Sequence, residues 1–281
     1  MGRQLGVGGI HNSTARIGRT WRGLHSVAAG FAFPLGGWWL GGRRRLFDPA
    51  RLAHGLAIVL PGVEGWGPLN WSIARGLADG GFPGAVLVHD WTTGWWPLFA
   101  YHLRARRRGR RRAAEVARLV VEYRDRYPGR PVHLVGHSGG AAVAVWAVEA
   151  LPPTHPVGTA VLLAPALSPA YDLTPALRKV EGGVWHFWSP LDVVFLAAGT
   201  LLFGTSDGRH AVSAGCCGFS LPGGARPADV ALYRDRLRQR GYRPRMLGQF
   251  HWGGHLGWAN RVFVAETVAP LLGENPVRAI S

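Results

Sequence analysis

Apolar positions along this chain fall into two alternating kinds of run. LAIVL (56–60), AVLVHD (85–90), VHLVG (132–136), TAVLLAP (159–165) and GVWHFWS (183–189) are short and apolar almost throughout. That is the pattern of strands covered on both faces. Longer runs lie between them: LNWSIARGLADGG (69–81), AAEVARLVVEYRDRY (113–127) and GAAVAVWAVEAL (140–151). In the second, Val116, Leu119, Val120 and Tyr123 recur at i, i+3, i+4 and i+7, the stripe of an amphipathic helix. Gly80–Gly81, Pro128–Gly129 and Pro152–Pro153 stop the three. Further on, ADVALYRDRLRQRG (228–241) reads as a charged helix, a weak last strand is expected near Arg243–Gly248, and VFVAETVAPLL (262–272) reads as a closing helix.

Strands joined by crossover helices predict an α/β fold: a mostly parallel twisted sheet with helices on both faces. No internal repeat or linker divides it. The reading is one domain over 51–281, with residues 1–50 as an N-terminal arm and a small cap or insertion within 193–242. The tail after Leu272 is expected to be loosely held.

At 281 residues and 47% apolar, the chain can bury a large core. Its net charge is +16 although only 17% of residues are charged. Part of the excess is local, because seven of the 32 basic residues fall in RARRRGRRR, Arg104–Arg112. Such a run suits phosphate-rich partners, or it is a solvated helix face. No helix-turn-helix, zinc-finger or RNA-binding signature accompanies it, so no specific nucleic-acid partner is predicted.

GLHSVAAGFAFPLGGWWLGG (23–42) is uncharged for twenty residues, long enough to cross a bilayer. Six glycines and a proline make it a poor helix, and no small-residue cleavage site makes it a signal peptide. It reads either as a membrane contact or as an arm packed on the domain through Phe31, Phe33, Trp38 and Trp39. Location follows: cytoplasmic, with a membrane-associated alternative. The two cysteines, Cys216 and Cys217, are adjacent and make no disulfide framework. In HWGGH (251–255) two glycines separate the histidines, which argues against a metal-binding helix. Neither a metal nor a cofactor is predicted.

One corner carries chemistry. Gly136-His137-Ser138-Gly139-Gly140 fits G-x-S-x-G between a predicted strand and a predicted helix. Ligands of open α/β sheets bind beyond the carboxyl ends of the strands, where Ser138 would sit. Small neighbours let strand and helix approach. Gly139 lets its backbone N–H come close to a developing oxyanion, and the helix N-terminus favours negative charge there. The competing reading makes Ser138 a helix N-cap.

A serine hydroxyl needs a base, and the base an orienting acid. Asp192 follows a strand in WSPLDVVFL and His255 precedes the closing helix in HWGGHLGW. Ser138…Asp192…His255 is the Ser…Asp/Glu…His order of this architecture. His251 is a rival base and Asp207 a rival acid. His137 is expected to face away from Ser138, His133 and His186 to be strand histidines, Asp90 a loop anchor, and Glu64 either a gate or a solvated loop residue. Trp66, Trp91, Trp95, Trp96 and Trp252 lie in loops near the active edge and could line the pocket.

From about 55 to 272, GHSGG (136–140), PGVEG (61–65), HDW (89–91), SPLDVV (189–194) and GGHLGW (253–258) together resemble the α/β-hydrolase superfamily in its esterase/lipase-like branch. The resemblance implies a catalytic triad, carried onto Ser138, Asp192 and His255. It also implies an oxyanion hole of two backbone N–H groups, from Gly139 and, after Pro61–Gly62, from Val63. Many relatives have His-Gly where this chain has Pro-Gly, and a backbone donor survives that swap. The expected function is hydrolysis of a carboxylic, thio or lipid ester through an acyl-enzyme, with a small-molecule or lipid-like acyl ester as partner. Acyl transfer by the same triad is an alternative. So is a non-catalytic membrane-associated protein that keeps the fold, with contact through 23–42 and Arg104–Arg112.

Overall fold

A computed structural model describes residues 8–31 and 44–273. Seven strands form one sheet: β1 (Arg44–Phe47), β2 (Leu56–Leu60), β3 (Ala85–His89), β4 (Val132–His137), β5 (Ala160–Leu163), β6 (Val184–Trp188) and β7 (Leu237–Gly241). Their order is β1-β3-β2-β4-β5-β6-β7. Only β1 runs antiparallel to its neighbour; β2 through β7 are parallel. The main helices are α1 (Gly8–Phe31), α2 (Pro68–Asp79), α3 (Arg106–Arg126), α4 (Gly139–Ala150) and α5 (Pro227–Arg236). The fold is thus α/β, a mostly parallel sheet with helices on both faces.

Strand periodicity sorts the core into two layers. In β2, Leu56, Ile58 and Leu60 pack with α3 and α4, whereas Ala57 and Val59 pack with α2 and the closing segment around Phe263. A strand buried on both faces must be apolar at every position, which is why LAIVL shows no alternation. Each such aliphatic side chain contributes about 1.5–3 kcal/mol by burial.

Several boundaries differ from the sequence expectation. α3 starts at Arg106, not near 113, so the arginine run forms its first turns. Arginine is a good helix former, and Gly109 lets α3 press on α4: a Cβ there would lie 2.7 Å from the Trp146 ring. The expected helix over 228–241 stops at Arg236, and Leu237–Gly241 becomes β7. Gln239 fastens this polar strand by bonding both the N–H and the carbonyl of Phe219. Pro244–Gln249, where a last strand was expected, is a 3-10 helix. The closing helix starts on an Asn260 cap, widens to a π turn over Val264–Val268 and tightens to 3-10 at Ala269–Leu272, where Pro270 removes a donor. β1 was not anticipated, because RRLF is too short to show a period.

α1 rests on the domain through small residues. Gly23 faces the Phe250 ring and its carbonyl accepts from Asn260; Ser26 bonds Ser72 and accepts from the Arg261 N–H. Phe31, expected to anchor the arm, is 75% exposed. Phe33, Trp38 and Trp39 lie outside the described residues, as do 32–42 of the uncharged stretch and 274–281 of the tail. Among the described residues no helix is long and apolar enough to cross a membrane.

Candidate active site

Ser138 occupies the turn between β4 and α4 with φ 54° and ψ −121°. A non-glycine residue in the positive-φ region is strained by roughly 1–3 kcal/mol. The surroundings enforce it. The Ser138 N–H donates to the Leu163 carbonyl at 2.9 Å, and its own carbonyl accepts from the Ala141 and Ala166 N–H groups. The hydroxyl makes no helix-capping bond, so the N-cap reading loses its interaction. The flanking glycines explain the sharpness of the turn. A Cβ at Gly136 would fall 2.5 Å from the Ala141 Cα, and one at Gly140 would fall 2.1 Å from the Pro61 carbonyl oxygen.

Asp192 follows β6 after a turn closed by its N–H on the Ser189 carbonyl. His255 opens a 3-10 helix after Gly253, whose φ of 84° reverses the chain. These elements bring His255 Nδ1 to 2.5 Å from Asp192 Oδ2, with both side chains buried. Burial by itself lowers the His255 pKa. The Asp192 charge and hydrogen bond, helped by the Glu64 charge, overcome it, so the net shift is upward. With Nδ1 engaged, Nε2 is the ring nitrogen left for proton transfer. His255 and Ser138 line one cavity of about 300 Å³.

The loop after β2 comes to the same place. Val63 Cγ1 would lie 2.8 Å from a Cβ at Gly139, so the Val63 side chain packs over Gly139 next to Ser138, and Val63 and Ser138 line the same cavity. Gly139 is the first residue of α4, whose first-turn N–H groups have no intrahelical acceptor. Side chains pin the loop from behind. Trp91 Nε1 donates to the Pro61 carbonyl at 2.7 Å, and His102 Nδ1 donates to the Val63 carbonyl at 2.8 Å. His102 Nε2 then accepts the Thr93 N–H, which fixes the neutral tautomer; burial holds the His102 pKa down.

Of the two readings of Glu64, the structure contradicts the solvated loop residue. It is neither solvated nor remote: it is buried, lines the cavity, and accepts from the Gly62 N–H at 3.2 Å and from Asn70 Nδ2 at 3.4 Å. Desolvation raises its pKa to about 7, against the opposing pull of hydrogen bonds and His255. Nothing in PGVEG distinguishes an inward glutamate from an outward one. His137 also departs from expectation. It lines the cavity rather than facing away, its Nε2 donates to the His255 carbonyl at 3.2 Å, and the two rings sit 4.7 Å apart. Burial drops its pKa to about 3, so it stays neutral.

The rival residues lie elsewhere. His251 is fully buried against Trp258, Phe263 and Tyr242, accepts the Gly253 N–H on Nδ1, and has a pKa lowered to about 3 by burial. Asp207 bonds the N–H and hydroxyl of Ser168. Asp90 receives the N–H groups of Trp66 and Thr92, a loop anchor as expected. His133 and His186 are buried strand residues.

None of the described loop tryptophans lines the cavity. Trp66 and Trp91 are packed in the core, Trp95 and Trp252 are half-exposed or more, and the side chain of Trp96 lies outside the described residues. Instead the walls come from Phe99 and Leu103 on one side and from the segment 193–203 on the other. In that segment a π turn (Val193–Gly199) runs into a short helix (Thr200–Phe203), and Phe195 stacks on the His255 ring at 4.9 Å. The residues around the Ser138 corner therefore present an apolar chamber with one carboxyl group, and among the described residues no metal-binding cluster exists.

No protein-family model and no curated protein matches this chain. Solved structures are similar to it in backbone course, three of them as follows. They are Est1E from Butyrivibrio proteoclasticus (10% identity, TM-score 0.45, covering 84% of this chain and 93% of that one), MenH from S. aureus (12%, 0.31, 58% and 55%), and the NocB thioesterase domain in covalent complex with a fluorophosphonate nocardicin G analog (18%, 0.35, 79% and 98%).

Proposed function

We propose that this chain is a serine hydrolase of the α/β-hydrolase type that cleaves carboxylic esters with an apolar acyl group. The observation that carries the reading is the shared cavity. Ser138, on a strained turn, and His255, bonded to buried Asp192, open into one apolar chamber.

In this reading Ser138 Oγ attacks the ester carbonyl carbon while His255 Nε2 takes its proton. Asp192 holds the imidazole and stabilises the imidazolium that forms. The carbonyl oxygen becomes an oxyanion and receives the N–H groups of Gly139 and Val63. Each such donor supplies on the order of a hundred- to a thousand-fold in rate. Collapse of the tetrahedral intermediate expels the alcohol, protonated by His255, and leaves an acyl-Ser138 ester. Water, activated by the same imidazole, then releases the acid. The chamber walls of Phe99, Leu103, Phe195 and Phe203 favour an apolar acyl chain over a charged one.

A fluorophosphonate probe together with p-nitrophenyl esters of increasing acyl length tests this. The wild type should label and turn over, whereas Ser138→Ala should do neither. Turnover that survives Ser138→Ala would remove the reading.

A further inference from the structure

Among the described residues, two elements carry runs of exposed large apolar side chains, the 193–203 segment and α1. On the 193–203 segment Val193, Val194, Leu201 and Leu202 are 56%, 72%, 49% and 69% exposed. The same segment buries Leu196 and Thr200 toward the cavity, so it is apolar on both sides. Its Phe195 also lines a second depression of about 250 Å³, shared with Trp252, with Phe31 of α1 and with His255. Along α1, Ile17, Trp21, Leu24 and Phe31 are exposed and fall on one helical stripe, opposite the small residues that pack on the domain. The apolar surface therefore continues from α1 across Trp252 and Phe195 to the outer side of the cavity wall. At the far rim Phe99 packs edge-on against Phe203 at 5.5 Å. The helix that Phe99 opens ends at Arg104 and the next begins at Arg106, and Arg104, Arg106 and Arg107 are all exposed and, among the described residues, in no ion pair. Their neighbours are engaged elsewhere: Arg108 bonds the Trp91 and Thr92 carbonyls, and Arg112 pairs with Glu115.

We propose that this face docks on an anionic lipid bilayer, with the mouth of the cavity turned toward the lipid. The arrangement of charge selects that occupant. A second copy of this chain would bring like-charged rims together. A bilayer instead offers acyl chains to the apolar centre and phosphate headgroups to the arginines at its edge. Trp21 and Trp252 are the side-chain type that settles at such a boundary. The +16 net charge steers the approach to an anionic surface. Under the ester-hydrolase reading, on which only this last step rests, an amphiphilic ester passes from the bilayer into the chamber without crossing water.

The test is flotation of the full chain with vesicles of phosphatidylcholine, with and without phosphatidylglycerol. In parallel, hydrolysis of a short soluble p-nitrophenyl ester is measured, which reports the catalytic reading alone. The wild type should bind the anionic vesicles at least ten-fold more than the neutral ones. A Trp21→Asp/Leu24→Asp double variant and an Arg106→Glu/Arg107→Glu double variant should each lose at least ten-fold of that binding while soluble-ester turnover is kept. A matched double charge reversal at the opposite ends of the strands, Arg126→Glu/Arg234→Glu, should lose less than two-fold. Failure to bind anionic vesicles would overturn the proposal. So would equal loss in Arg126→Glu/Arg234→Glu, which means diffuse adsorption of a basic protein, or a stable dimer by light scattering that the Trp21→Asp/Leu24→Asp variant dissociates.

Discussion

Asp192 Oδ2 lies 2.5 Å from His255 Nδ1, and the two side chains are sequestered together beneath the Phe195 ring. A buried imidazole would ordinarily be a weaker base; here the carboxylate more than reverses the effect of burial. Asp192→Asn keeps the size and removes the charge. Under the proposed mechanism it should lower kcat/KM by about ten-thousand-fold, with far-UV circular dichroism unchanged. The remaining activity should have its acid limb at lower pH, since His255 loses the charge that raised its pKa. Steady-state rates on a p-nitrophenyl ester between pH 5 and 9 read both effects.

Glu64 should leave a second signature in the same profile. Its carboxylate raises the His255 pKa, and its charge sits on the loop that carries one proposed oxyanion donor. Under the proposed mechanism Glu64→Gln should leave the acid limb in place, because below about 7 the wild-type carboxyl is already protonated and puts no charge beside His255. The variant should instead remove the decline expected above about 7 as Glu64 ionises next to the oxyanion. Stability carries an independent sign. The folded-state pKa is raised, so folding binds this proton more tightly, and its contribution is fully present below the unfolded value near 4.5 and lost as pH rises through about 7. Above that, ionising the buried carboxyl costs about 3 kcal/mol. The glutamine variant should therefore gain Tm over the wild type at pH 8 and not at pH 4. An equal difference at both pH values would refute the assignment.

Legibility in the sequence followed physical locality. Ser138 could be read because its turn needs small residues at fixed offsets, and strand and helix patterns flank it at once. Strands β2 to β6 could be read because burial on both faces forces unbroken apolar runs. β7 could not: Leu-Arg-Gln-Arg-Gly is a strand only because β6 and the Gln239 side chain hold it. Nor could the inward turn of Glu64, which depends on Gly62 and Asn70 and leaves no periodic trace. The tryptophan loops suggested pocket walls by composition, yet the walls are phenylalanines from 99 and 195–203, brought in by a π turn that no spacing announces.

Gly140 offers a test of backbone approach rather than chemistry. A methyl group there would meet the Pro61 and Leu60 carbonyl oxygens at 2.1 and 2.3 Å, so α4 and the end of β2 would have to separate. Such overpacking costs about 1–3 kcal/mol or more. Gly140→Ala should lower Tm by several degrees and reduce kcat by at least about a hundred-fold, because the movement displaces the Val63 loop from the Gly139 N–H. Gly81→Ala, at a site with open space around the missing methyl, should cost stability through its φ of 85° while leaving kcat within about two-fold.

His251 and His255 stand four residues apart, and exchange experiments separate their roles. His255→Asn should abolish turnover. His251→Asn keeps an acceptor for the Gly253 N–H but gives up ring packing on Trp258 and Phe263. It should retain kcat within a few-fold while losing about 2–4 kcal/mol of stability. The acid response should change as well. Burial lowers the pKa of His133 and His186 to about 4 and that of His137 and His251 to about 3. Below about 6.5 the unfolded chain takes up these four protons and the folded chain does not. Stability present at neutral pH is therefore lost as pH falls, at about 5 kcal/mol per unit near pH 5. Urea titrations at pH 5 and 7 should show the wild type losing more stability than His251→Asn over that interval. Equal loss would place the His251 ring in contact with water, in conflict with its complete burial.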